Sequence, residues 1–313
     1  MDHMGQIGAS DQRGENVGST PFERQTSIEA VPGRPGSYRA EVTGDWNAPV
    51  LPQGGILAAI AARAMTAALS DTEKSLRSIT TVFAAQVPPG PVEIDVSVLR
   101  RGKAMSQATA TLRSVGSEAG HTSVAVFGGV RPGYVFTDLV APDVPGPLQC
   151  RSFRDPPPEG APDRPFRTAT FWENVEARWA MGHWWWEEWV PTTSEQAKWV
   201  RFDEPPFTDD RVLDPLALVA LCDTMPAAVG ERMGPGQAMW MAPSADLTVH
   251  LLGEATSEWL LAHGRARSAG DGYASLELAL WDPATGLVAY GTQMMLFSFP
   301  DGPPPPNKLH PPG

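Results

Sequence analysis

The sequence predicts an α+β protein in which one small unit, a helix followed by a run of strands, is laid down twice. Three observations predict it. A helical apolar run opens at Gln53-Gly54-Gly55 and continues to Met65, and a second opens at Pro215 and continues to Met225. Strand-like segments follow each run, to about Phe127 in the first case and about Phe299 in the second. Repetition of one supersecondary order points to two copies packed together. Only the second run carries an acidic residue, Asp223, in its apolar stretch. That asymmetry points to one working site per chain.

The elements follow in order. Residues 1–24 are rich in Gly, Ser, Asp and Gln without periodicity and are expected to be a disordered tail. The first unit spans 25–130. It opens with the alternating stretch Gly36–Val42, followed by the helix, which ends near Ser70-Asp71. Four strands come next: Ser78–Ala84, Val92–Leu99, Ser106–Leu112 and Thr122–Phe127. Val92–Leu99 alternates almost perfectly, as a strand with one wet face should. Arg101-Gly102-Lys103 is a short hairpin signal.

Residues 131–165 carry a proline-rich linker, including Pro156-Pro157-Pro158. The second unit spans 166–300, with strand-like material from Phe171 to Trp199. Asp214 is a good N-cap before Pro215 at the first helical position. Its later strands are Ala245–Leu251, Trp259–Ala266, Tyr273–Trp281 and Leu287–Leu296, with a turn at Asp282–Gly286. The run Pro303–Pro306 cannot continue a strand, so 301–313 is expected to be a loose proline-rich tail.

Composition narrows the function. The chain has 313 residues, enough for a substantial core, and its 42% hydrophobic and 19% charged content describe a soluble globular protein. No apolar run approaches the roughly 20 residues that span a bilayer, so membrane insertion is not expected. The polar start, Met1–Gln6, lacks the pattern of a secretory leader. Two cysteines, Cys150 and Cys222, make no disulfide framework, which agrees with a cytoplasmic location. A net charge of -12 disfavours nucleic acid, whose phosphates are met by Lys and Arg.

A helix wrapped by a curved antiparallel sheet, repeated in one chain, is the double hot-dog arrangement. Over roughly residues 36–300 the chain resembles the acyl-CoA thioesterases with two fused hot-dog units. Gln53-Gly54-Gly55 is similar to that family's Gly-Gly helix start. Val98–Ser106 is similar to its Arg-x-Gly-Arg/Lys hairpin, and Asp223 stands where the family has its helix aspartate. Ser244-Ala245-Asp246 resembles the family's Ser/Thr-Leu-Asp step, and Gln293 falls on the last strand, where the family has its glutamine. Two positions depart from the pattern. Asp246-Leu247 stands where the family usually has Asp-His, and Ala59-Ile60-Ala61 where a glutamine is often found. These departures point to an altered acyl pocket or CoA grip.

The resemblance implies hydrolysis of an acyl-CoA or acyl-carrier thioester, a place in lipid metabolism, no cofactor and no metal, and a homodimer or higher even oligomer. Asp223 would accept the proton of a water that Ser244 and Gln293 orient. Gly54 and Gly55, at a helix N-terminus with free N–H groups, would polarise the thioester carbonyl. Arg100, Arg101 and Lys103 would grip the phosphates of CoA. Each residue also has a plain reading: a satisfied helix-end carboxylate, a turn hydroxyl, a lone strand amide needing a partner, a solvated hairpin tip. Trp184-Trp185-Trp186, read as a strand, puts Trp184 and Trp186 on one face, as packing or as a wall of the acyl pocket.

Other classes fare worse. A dehydratase on this fold pairs Asp with His on the helix, and no His follows Asp223 there. Neither a Gly-x-Ser-x-Gly elbow nor a phosphate loop nor a His-Glu-x-x-His pattern occurs. The serious alternative is a hot-dog protein that holds an acyl or polyketide-like ligand without turning it over.

Overall fold

A computed structural model describes residues 19–163 and 169–310. The chain order is α1 (Pro21–Gln25), β1 (Glu29–Ala30), β2 (Ser37–Val42), β3 (Asn47–Ala48), β4 (Leu51–Pro52), α2 (Gly54–Leu69), β5 (Ser75–Phe83), β6 (Gly90–Arg101), β7 (Met105–Ser114) and β8 (His121–Gly128). After a long connection come α3 (Phe171–Asn174), β9 (Val175–Met181), β10 (Glu195–Phe202), α4 (Pro215–Cys222) and α5 (Ala227–Met233). The chain closes with β11 (Asp246–Leu251), β12 (Leu260–Gly270), β13 (Tyr273–Asp282) and β14 (Gly286–Leu296).

Twelve strands form one antiparallel sheet in the order β1-β2-β6-β7-β8-β5-β11-β14-β13-β12-β10-β9. The two units meet edge to edge at β5 and β11, where Thr80 pairs with Thr248 and their hydroxyls lie 3.0 Å apart. The fold is a double hot-dog, as the repeat predicts. Alternation sets the faces: Val92 and Ile94 of β6 are fully buried under α2, while Glu93 and Asp95 stay partly open. Both long helices are apolar on nearly every side, as buried helices must be. α4 is buried from Leu216 through Cys222.

α2 and α4 run antiparallel and in close contact. A Cβ on Gly55 would stand 2.8 Å from the Cα of Ala220, so only glycine lets the helices approach this closely. Gln53 locks the crossing. As the α2 N-cap its Oε1 accepts from the Ile56 N–H, while its Nε2 donates to the Ala220 carbonyl at 2.7 Å and the Asp223 carbonyl at 3.0 Å.

Two sequence expectations need correction, and a third gains detail. Of the tail expected over 1–24, residues 1–18 lie outside the described residues. The rest is built: Thr20 and Glu23 form a capping box for α1, and Phe22 is fully buried against Trp46 and Phe202. Of the linker expected over 131–165, residues 164 and 165 lie outside the described residues, and part of the rest is packed on the second unit. Val144 and Cys150 pack on Trp199, Leu261, Ala279 and Trp281, an apolar cluster on the outer sheet face of the second unit. The Trp199 indole there donates to the Pro145 carbonyl at 2.8 Å.

The tryptophan run is a turn and not a strand, because Gly182 at φ 125° breaks the extended course. Trp184 and Trp186 still pair, stacked at 4.8 Å, with the Arg151 guanidinium over both rings. Their contacts with Phe153 and Arg151 fasten the linker to the second unit, which is the packing reading. Residues 301–310 are mostly exposed and include a single turn at Pro306–Lys308.

Candidate active site

The site forms where the end of α4 meets the start of α2. The sequence places Asp223 inside the second helix; in the structure it is the C-cap, one residue past Cys222. Pro226 explains the early stop, since a proline ring clashes with the carbonyl four residues back, here that of Cys222. The cap position turns the Asp223 side chain across the unit boundary. Its Oδ2 accepts from the Gly55 N–H at 2.9 Å, and its Oδ1 from Gln293 Nε2 at 2.5 Å. Gln293 Nε2 also donates to Ser244 Oγ at 2.6 Å. Ser244 lies just before β11 and bridges to Met295, so the ladder between these segments holds Ser244 beside Gln293.

Asp223, Ser244 and Gln293 thus stand together, drawn from a helix end, a strand approach and the last long strand. Gln293 is 3% exposed, and its Oε1 has no protein partner. With the amide nitrogen used twice, that oxygen can accept one more hydrogen, as from a water or a substrate.

Electrostatics favour a base that works near neutrality. Burial pushes the Asp223 carboxyl from 3.8 up to about 6, against the Gly55, Gln293, Gly54 and Ser244 contacts, which pull it down. The α2 N-terminus contributes, because its unbonded N–H groups and dipole favour a negative charge. Burial, with the Asp223 charge beside it, raises the neighbouring Cys222 thiol well above its usual range and keeps it protonated.

Two expected assignments meet groups that are already engaged elsewhere. The Gly55 N–H is committed to Asp223, and the Gly54 N–H also bears on that carboxylate, so these groups hold the acid and do not await a carbonyl. Glycine at 54 is needed for another reason: a Cβ there would stand 2.7 Å from the Phe83 ring and 3.0 Å from Asp223 Oδ2. Of the hairpin cations, Arg101 is engaged within its own unit. Arg101 donates to the Leu69 and Ala68 carbonyls and so caps the far end of α2. At 1.5 Å per residue the 16-residue helix puts that cap roughly 24 Å from Gly54. Arg100 and Lys103 lie exposed on the same hairpin. A cleft of about 580 Å³ opens there too, between β2, β6 and the α2 C-terminus.

Sequence reasoning missed Phe83, whose ring walls the site beside Gly54 and stacks edge-on with His121 at 4.8 Å. Burial lowers the His121 imidazole to about 4, so it is neutral there. Lys198 was also missed. It is 2% exposed, donates to the Thr224 carbonyl next to Asp223 at 2.8 Å, and lies about 6 Å from the rings of Trp172 and Trp179. Burial lowers its ammonium to about 7. A lysine in a strand gives no sequence signal of such burial, because only the fold brings α3 and β9 over it. Among the described residues no cluster of His, Cys, Asp and Glu could hold a metal ion.

Family models match both halves: the acyl-CoA thioesterase N-terminal domain over residues 42–128 and the acyl-CoA thioesterase C-terminal domain over 147–297. The chain belongs to the acyl-CoA thioesterase family. Among solved structures, this family member is similar to a hot-dog protein of unknown function from Alicyclobacillus acidocaldarius, at 26% identity and TM-score 0.74, over 90% of this chain and 99% of that one. It is similar to acyl-CoA thioesterase II TesB2 from Mycobacterium marinum at 21% identity and TM-score 0.63, over 90% and 100% of the two chains. A tesB protein from Mycobacterium avium subsp. paratuberculosis matches at 19% identity and TM-score 0.67, over 88% and 98%. The last two likenesses bear on the fold alone. No curated protein matches the sequence. Among the described residues no helix is long and apolar enough to cross a membrane.

Proposed function

We propose that the protein hydrolyses a fatty or related acyl-CoA thioester to the free acid and CoA, with Asp223 as general base. A water would lie against Asp223 and Gln293, with Ser244 fixing the glutamine amide. Asp223 takes one proton as the water oxygen bonds to the thioester carbon. Collapse of the tetrahedral adduct breaks the C–S bond, and the proton held by Asp223 passes to the departing sulfur. No residue of the chain becomes acylated. The observation that carries this reading is a carboxylate raised to about 6 whose partner amide keeps an unpartnered oxygen in the same place. A group of that pKa is ionised at neutral pH and still basic enough to take a proton.

One observation supports the alternative of a protein that holds an acyl ligand without cleaving it: the α2 N–H groups face Asp223 and leave no preformed oxyanion donor at the helix start. Free-thiol release from a panel of acyl-CoAs separates the two. Release well above background on at least one of them is expected; tight acyl-CoA binding with none would establish the holding protein. Cys150 and Cys222, both free and buried, suit the reducing cytoplasm.

A further inference from the structure

The inward row of β13, Ala274, Leu276, Leu278 and Leu280, is aliphatic throughout. The inward row of β10 breaks that pattern. Alternation carries it from Phe202 and Val200, both in the core, to Lys198 and Gln196. Gln196 is 0% exposed, and it is the one described side chain with two buried polar atoms that lack a partner. Gly264, its register partner on β12, makes its seat: a Cβ there would stand 2.8 Å from Gln196 Nε2. Lys198, 2% exposed, gives one hydrogen bond, to the Thr224 carbonyl, and has donors to spare.

Among the described residues no carboxylate pairs with the Lys198 ammonium, and burial alone acts on it. Glu231 flanks Gln196 across Gly182 but is taken by His183, whose backbone N–H it accepts at 2.9 Å and whose ring nitrogen it meets at 2.7 Å. An unmatched buried amide group costs about 1–3 kcal/mol, and a buried ammonium without an anion costs more. Aliphatic residues would fill these two places without that cost. A group that accepts from both side chains removes it, and a carboxylate brings two oxygens and the missing negative charge.

We infer that Gln196 and Lys198 form the far end of the acyl pocket and select an acyl group that ends in a carboxylate. The assignment takes the thioester to lie at Asp223, as the hydrolytic reading has it. The two places are joined through one peptide. Thr224 follows Asp223, and adjacent Cα atoms stand about 3.8 Å apart, so the ammonium that bonds the Thr224 carbonyl lies on the order of 10 Å from the Asp223 carboxylate. Helix α5 begins just after the Asp223 turn and packs on β10 and β12, which sets the row behind the site within the second unit. A straight acyl chain of short to medium length bridges that distance. Its terminal carboxylate accepts from Lys198 Nζ and Gln196 Nε2, between the Trp172 and Trp179 rings at 5.8 and 6.0 Å from the ammonium. A plain aliphatic chain of equal length leaves both polar groups unmatched and is disfavoured for that reason.

The test compares adipoyl-CoA with hexanoyl-CoA, and suberoyl-CoA with octanoyl-CoA, by free-thiol release from the full chain. The wild type is expected to favour the dicarboxylic member of each pair by about a hundredfold or more in kcat/KM. Lys198→Met and Gln196→Leu keep the length of the side chain and remove its polar end. Each is expected to lower that ratio at least about tenfold. A merely structural Lys198, holding the Thr224 carbonyl and through it Asp223, would lower both members alike and keep the ratio. Calorimetry of the wild type with uncleavable thioether analogues of adipoyl-CoA and hexanoyl-CoA needs neither turnover nor variants, and should favour the adipoyl analogue by a similar factor. Tighter adipoyl binding with no thiol release from any substrate would retire hydrolysis and keep the carboxylate subsite. Thiol release with the monocarboxylic member equal or favoured would keep hydrolysis and overturn the subsite. A ratio that neither variant moves overturns it as well.

Discussion

The antiparallel pair α2 and α4 has two ends, and the repeat makes them equivalent, yet the residues at the two crossings differ in kind. At one end Asp223 reaches from the end of α4 to the bare N–H groups that begin α2. At the other, Arg63 reaches from within α2 to the residue that begins α4, donating to Asp214 Oδ2 at 2.8 Å and to Thr26 Oγ1. Asp214 Oδ1 meanwhile caps the Leu216 N–H at 2.9 Å. The second crossing is thus an ion pair, with Arg63 Nη2 shared between Asp214 and Thr26 and its Nε without a partner. The first holds a carboxylate between a helix start and an amide with a spare oxygen. A duplicated fold supplies two places for chemistry, and here one has become a brace.

Four measurements would break or sharpen that contrast. The largest effect is expected from Asp223→Asn, which keeps the shape and removes the base. Thiol release should fall by about two to four orders of magnitude with KM little changed. A variant as fast as wild type would remove Asp223 from the mechanism and leave the hydrolase. Gly55→Ala comes next. Alanine is the better helix former by about 1 kcal/mol, but its Cβ would press on the Ala220 backbone and part the crossing. A loss of roughly a hundredfold in kcat is expected, the scale of an ångström misplacement; a fully active variant would show that the helix contact does not position Asp223.

The third concerns pH. The folded protein raises the Asp223 carboxyl from 3.8 to about 6, so it favours the protonated form. Activity should therefore climb as pH rises through about 6 and level off above it. Stability moves the other way: the contribution of this group is complete below about 3.8 and is lost as pH rises through 6. Two pKa units correspond to about 3 kcal/mol at most. Denaturant melts should find Asp223→Asn more stable than wild type at pH 7 and the two equal near pH 4. The smallest catalytic effect belongs to the brace. Arg63→Met should leave kcat within about threefold while lowering stability by about 1–3 kcal/mol, because Asp214 loses its partner. A large fall in kcat would mean that both crossings serve the chemistry.

The fold was legible because its signals are local and repeated. Alternation fixed β6 at Val92 and Ile94, and Asp214-Pro215 marked the start of α4. Asp223, Ser244 and Gln293 could be picked out through resemblance, but not their contacts, which depend on the pairing of β11 with β14 and on the stop at Cys222. What the sequence could not show was competition for a group. Nothing in Gln53-Gly54-Gly55 says that a carboxylate from the other half takes the Gly55 N–H. Nothing in Arg100-Arg101-Gly102-Lys103 says that Arg101 caps α2. Lys198 and Phe83 were invisible for the same reason, since each gains its role from neighbours distant in the chain.

The placement of Phe22 has a consequence for how the chain is made. Its ring is sealed between Trp46 of the first half and Phe202 of the second. During synthesis, at about 5–20 residues per second, Phe22 leaves the ribosome on the order of ten seconds or more before Phe202 follows. The first half must wait through that interval with an aromatic seat unfilled and with the β5 edge unpaired, since β11 comes later still. Nascent chains arrested shortly after Phe127 are therefore expected to be strongly protease-sensitive around Phe22, and chains arrested beyond the last strand resistant there. The duplicated halves, similar as they are, do not mature independently: the first is completed by the second.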